Sequence, residues 1–132
     1  MTTGLGISAR VRQPYADALA RTVDALKVEG FGVLTEIDVR ATLKAKLDVD
    51  FRPYMILGAC NPPLAHKALS ANLDIGLLLP CNVVVYQDGD ETVVTAVDPV
   101  VMLGVMGDDP VAAEVATDAK ARLRRVIARL NG

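Results

Sequence analysis

The stretch Cys81-Asn82-Val83-Val84-Val85-Tyr86-Gln87-Asp88-Gly89-Asp90-Glu91-Thr92-Val93-Val94-Thr95-Ala96-Val97 decides the fold. Val and Thr dominate both arms, and such residues fit a pleated, half-buried surface. Asp88-Gly89-Asp90 between the arms is the turn signal of a tight hairpin. The stretch therefore predicts two antiparallel strands, and the rest of the chain is read outward from them.

Upstream, Leu5, Ile7, Ala9 and Val11 alternate with Gly6, Ser8, Arg10 and Arg12, the period of a half-buried strand. Pro14 suits a first helical position, and Tyr15, Leu19, Val23 and Leu26 form one apolar stripe that Gly30 stops. Phe31, Val33, Thr35 and Ile37 read as one face of a second strand, with Glu36 on the opposite face and Lys44 as its candidate partner. Asp38 is a good cap for a short helix carrying Val39, Leu43 and Leu47. Residues 48–53 read as a loop and residues 54–60 as a buried strand. In Asn61-Pro62-Pro63, Asn caps a helix whose first turn accepts prolines, because those N–H groups would lack partners anyway. Leu64, Ala65, Ala68 and Leu69 form its inward side, and His66, Lys67 and Ser70 its outward side. Beyond the hairpin, Asp109-Pro110 caps a long last helix with the stripe Val111, Val115, Ala119, Leu123, Val126, Ile127 and Leu130. No repeat or linker interrupts this order, which predicts a single α+β domain over residues 1–132.

Composition narrows the function. The 132 residues are 52% hydrophobic and 23% charged, which excludes a disordered chain and supplies a core without a disulfide or metal staple. A net charge of -2 with three Tyr, two Phe and no Trp argues against nucleic-acid binding. The apolar runs are far shorter than the ~20 residues that span a bilayer, so no membrane partner is expected. Residues 1–8 lack a basic segment followed by an apolar one, so a cytoplasmic location is expected, with Cys60 and Cys81 as free thiols.

Serine-hydrolase, phosphate-loop and dinucleotide motifs are absent, and His66 is the lone histidine. No catalytic residue is assigned, and no cofactor or metal is expected. The unusual feature is the dipeptide Cys-Asn, present as Cys60-Asn61 before a helix and as Cys81-Asn82 opening a strand. A cysteine just ahead of a helix can have its thiolate stabilised by free N–H groups and the helix dipole. The same residue type also serves as a small buried hydrophobe. Their separation matches neither a CxxC redox motif nor a zinc spacing. Residues 100–106, Val-Val-Met-Leu-Gly-Val-Met, are either core or a self-association surface.

Gly30-Phe31-Gly32-Val33-Leu34-Thr35-Glu36-Ile37-Asp38, Leu57-Gly58-Ala59-Cys60-Asn61-Pro62 and Gly76-Leu77-Leu78-Leu79-Pro80-Cys81-Asn82-Val83 together resemble the domain of unknown function 302 family, over nearly the whole chain. The resemblance implies a two-layer α+β domain, an antiparallel sheet with helices packed on one face, similar to the TATA-binding-protein-like fold. It also implies a prokaryotic protein and a homodimer, and it implies no activity. The expectation is thus a cytoplasmic dimeric module that binds a small molecule or a partner. Its site would gather Glu36, Cys60, Asn61, Cys81 and Asn82 beside a helix N-terminus. The alternative is a thiol-dependent redox or metal-handling protein using Cys60 and Cys81. The dimer is expected to form through apolar surface, with residues 100–106 as the favoured contributor.

Overall fold

The computed structural model describes residues 4–131, so residues 1–3 and 132 at the ends of the expected domain lie outside it. The predicted hairpin forms as β4 (Cys81–Asp88) and β5 (Glu91–Val97), with Asp88 opposite Glu91 and Gly89 at φ +64°. β1 (Gly6–Val11), β2 (Gly32–Asp38) and β3 (Tyr54–Cys60) complete a five-stranded antiparallel sheet in the order β1-β5-β4-β3-β2. β1 and β2 are its two edges, so α1 (Tyr15–Val28), which joins them, crosses the sheet. α5 (Pro110–Asn131) packs beside α1 on the same layer, against β1 and β5.

The core between these layers follows from the strand alternation. Ile7, Ala9, Val11, Leu57, Ala59, Val83, Val85, Val94 and Ala96 turn inward to meet Leu26 of α1 and Leu123, Val126, Ile127 and Leu130 of α5. Leu26, Leu57 and Leu123 are completely buried. The opposite face carries polar pairs instead. Ser8 and Thr95 hydroxyls lie 2.7 Å apart, and Arg10 reaches Asp88 at 2.9 Å. Tyr54 and Tyr86 stack there with ring centroids 5.3 Å apart.

The predicted caps hold. Asp38 accepts from the Ala41 N–H at 2.9 Å ahead of α2 (Val39–Leu47), and Asp109 accepts from Val111 and Ala112 ahead of α5. Gly30 ends α1 at φ +84°, a left-handed position that suits glycine. α2 buries none of its residues.

β2 departs from the expected pattern. Val33 pairs with Ala59 and Thr35 with Gly58, so one extra residue, Leu34, sits in a bulge. The bulge splits the expected face: Val33 packs on the core, whereas Ile37 lies opposite Ile56 on the other side and is 49% exposed. Glu36 is brought onto the inward side, opposite Leu57, and its carboxylate helps raise the pKa of Tyr15, after burial and Asp38. Lys44 is not its partner; that ammonium lies 3.0 Å from Asp48 and 3.5 Å from Asp50.

Residues 100–106 are mostly helical. Asp98 caps α4 (Pro99–Leu103) by accepting from the Val100 N–H at 2.9 Å, and a short 3₁₀ turn follows. Leu103 is buried and Met102 and Met106 pack inward, leaving Val100, Val101 and Val105 exposed. The two methionines, expected to supply dimer contact, therefore belong largely to their own chain. They join a second apolar cluster built from α3 (Pro62–Ala71), the 3₁₀ segment Leu73–Leu78, α4 and the first half of α5.

Candidate functional site

Where β3 leaves the sheet, Gly58, Ala59 and Cys60 run directly into the cap of α3. A Cβ at Gly58 would collide with Thr35 Oγ1 and come within 2.8 Å of Pro80 Cγ, so β2, β3 and the entry to β4 close together there only because that residue is glycine. Asn61 is 8% exposed. Its side chain accepts from the Leu64 N–H at 3.3 Å and donates to the Glu29 carbonyl at 3.4 Å. That clamp ties the end of α1 to the start of α3.

The expected anion-attracting helix N-terminus is already occupied. Pro62 and Pro63 bring no N–H, the Leu64 N–H is taken by Asn61 Oδ1, and the Ala65 N–H by the Asn61 carbonyl at 2.9 Å. Cys60 therefore stands before a helix whose first turn has no spare N–H donor.

Cys81 opens β4 directly opposite Ala59 and is buried. Burial, and secondarily the neighbouring Cys60, pushes its thiol up to about 11. At neutral pH Cys81 is a protonated thiol and behaves as a small apolar side chain. Both cysteines are free thiols. Among the described residues, no group of three or more His, Cys, Asp or Glu side chains is placed to hold a metal ion.

Cys60, Asn61 and Cys81 do meet, in the wall of one cavity of about 290 Å³. It lies between the sheet end, α3, α4 and α5. Leu64 and Leu69 come from α3, Met102 and Leu103 from α4, Val115 and Ala119 from α5. Leu34, the bulged residue of β2, stands at its edge and is 68% exposed. Two residues of the expected site stay outside. Asn82 is exposed and opposite Gly58 on the far face of the sheet, and Glu36 sits along β2 beyond the bulge. His66 is exposed on the outward side of α3.

Sequence reasoning found the polar fringe of this cavity and missed its body. Leu64, Leu69 and Val115 read as inward stripe residues, and they do turn inward, while Met102 belongs to the segment left between core and self-association; what makes a cavity is the alanine between them. Ala65 and Ala68 of α3 and Ala119 of α5 line the space that larger side chains would fill. Those small residues, in stripes otherwise made of Leu, Val and Ile, were the available signal.

Comparison with known proteins places this arrangement. The family model described as domain of unknown function DUF302 matches residues 7–130. A crystal structure of an uncharacterized conserved DUF302 protein from Bacillus stearothermophilus is similar throughout. It is 36% identical, with a TM-score of 0.86 over 97% of this chain and 99% of that one. No curated protein matches.

Proposed function

The chain belongs to the family described as domain of unknown function DUF302, a description that assigns no activity, and we propose a reading from the cavity itself: a binding module for a small, apolar molecule. The observation that carries it is the 290 Å³ apolar space among α3, α4 and α5. Ligand sites are concave and mostly apolar, with few polar groups. A segment that only had to pack would do so better with larger residues at Ala68 and Ala119, because unfilled volume costs stability. Cys60, Asn61 and Cys81 form the polar fringe of the site in this reading, while Glu36 and Asn82 contribute nothing to it.

We place the module in a prokaryotic cytoplasm as a two-fold dimer. The bacterial source of the solved relative supports the first, together with the lack of any helix among the described residues long and apolar enough to cross a membrane. Exposed Val101 and Val105 on the 100–106 segment support the second. Sedimentation of a Val101→Lys, Val105→Lys variant should show a folded monomer; a dimer of unchanged strength would move the contact elsewhere.

Binding is tested by titrating the neutral dye N-phenyl-1-naphthylamine. Saturable, blue-shifted fluorescence that is lost in Ala68→Leu is the expected result. A wild-type protein that leaves the dye dark would end the proposal.

A further inference from the structure

We infer that the cavity selects against charge: its ligands are uncharged, hydrocarbon-rich molecules of about 9–17 heavy atoms, such as alcohols, aldehydes, esters or alkenes, and not carboxylates, phosphates or protonated amines. The inference deepens the proposed binding function and rests on it.

The lining contains no Asp, Glu, Lys, Arg or His, and its polar atoms belong to Cys60, Asn61 and Cys81. Asn61 spends its amide oxygen on the Leu64 N–H and one of its two amide N–H groups on the Glu29 carbonyl. The first turn of α3 has no spare N–H, for the reasons given above. A carboxylate drawn inside would therefore meet no cation, and one neutral amide N–H beside two weak thiol donors is too little to offset the loss of its hydration.

Cations on the surrounding helices do not change this, because each one near the cavity already serves an acid. Lys67 pairs with Glu114; Lys120 lies 2.8 Å from Asp98, Arg122 2.9 Å from Asp118, and Arg125 2.8 Å from Glu29. His66 and Arg124 are exposed and outside the lining. The same pairing occupies the carboxylates of Glu29, Asp98, Glu114 and Asp118, and none of them lines the cavity. What remains for a polar ligand group is the second Asn61 N–H and the weak donor capacity of two thiols, which suit a hydroxyl or carbonyl and not an ion.

Size follows from volume. Apolar cavities of about 150 Å³ stay dry and hold one benzene ring, so about twice that volume, with an edge at exposed Leu34, takes a medium-length chain or a fused bicycle bearing one further ring.

Octan-1-ol, octanoate and octylammonium share one tail and differ in head charge, so they isolate the claim. Their affinities are read at pH 8 from the methyl signal of Met102 in protein labelled at methionine methyls, below the solubility of each compound. The expected result is saturable binding of octan-1-ol that is at least tenfold tighter than either ion, and absent in Ala68→Leu. Octanoate or octylammonium binding as tightly as the alcohol would place the head in water or against a charge, and would overturn the selectivity while leaving the apolar cavity as the site. Binding of none of the three would overturn the proposed function itself.

Discussion

Along α5, Leu123, Val126, Ile127 and Leu130 press into the space between the helices and the sheet, whereas Ala112, Val115, Ala116 and Ala119 turn toward α3 and α4. One uninterrupted stripe thus serves two interiors. In the first, large side chains meet the alternating residues of four strands and leave Leu26, Leu57 and Leu123 without solvent contact. In the second, alanines face short helical segments, and the result is a cavity. Periodicity decides which residues point inward, and side-chain volume decides whether the inside is closed.

The largest expected effect tests the closed region. Leu123→Ala removes a side chain with no accessible surface, and close-packed surroundings cannot collapse onto the gap. Its cost should fall near the top of the usual range, about 4–5 kcal/mol in urea unfolding. Leu103→Ala makes the same chemical change at a wall of the cavity, where neighbouring volume is already unfilled. It should cost about 2 kcal/mol. Equal losses at the two sites would erase the distinction between a closed core and an open one.

A smaller effect separates the regions by pH. Asp98 joins the second interior together: its carboxylate caps α4 and lies 2.8 Å from Lys120 of α5. Burial pushes this carboxyl up, but the Lys120 ammonium and the Val100 and Val101 N–H groups outweigh it, so its pKa lies below the ordinary carboxylate value. A depressed folded-state pKa gives stability that is complete above the unfolded value and is lost as pH falls through the folded one. Asp98→Asn keeps an acceptor for the cap and removes the charge. It should lower stability at pH 7 by about 1–3 kcal/mol, less than for a fully buried pair because Lys120 keeps partial access to water. The gap between wild type and variant should close below about pH 4, as the native carboxyl takes up its proton. A gap that persists unchanged at pH 2 would show that the ion pair is not its source.

How much of this was legible depends on how local each determinant is. The hairpin, the caps at Asp38, Asn61 and Asp109, and the α5 stripe are set by neighbours within one turn or one strand, and the sequence shows them. The face of β2 was not legible, since the bulge at Leu34 needs a partner strand to exist, and one extra residue exchanges the faces of everything after it. Residues 100–106 are apolar on every side, so periodicity does not say that the methionines turn inward and the valines outward. The convergence of Cys60-Asn61 with Cys81 is expected from the repeated Cys-Asn dipeptide beside a helix start, and it comes about because β3 ends where β4 begins, with Ala59 opposite Cys81. The donor supply at α3 was misjudged, although Pro62 and Pro63 were in view: the prolines that mark a helix start also strip it of the N–H groups an anion needs. The cavity depends on the sizes of residues from three helices and a strand end, and no window along the chain contains them together.

The smallest effect has the opposite sign and bears most directly on why the two halves of α5 differ. Ala119 is 4% exposed and lies in the stripe between Val115 and Leu123, at the wall of the cavity. Leucine there has the helix propensity to sit in α5 and the volume to occupy space now bordered by Leu64 and Met102. If the second interior is a core left open, Ala119→Leu should stabilise the domain by about 0.5–2 kcal/mol, the usual gain from filling a cavity. Binding of N-phenyl-1-naphthylamine should be lost in the same protein. Stability and binding would then move in opposite directions at a single position, as expected where packing has been given up for a ligand. A destabilised variant would mean that the walls cannot accept the added carbons, as in an already filled core. A variant more stable than wild type that still bound the dye would place the dye elsewhere, and would separate the open region of the fold from its function.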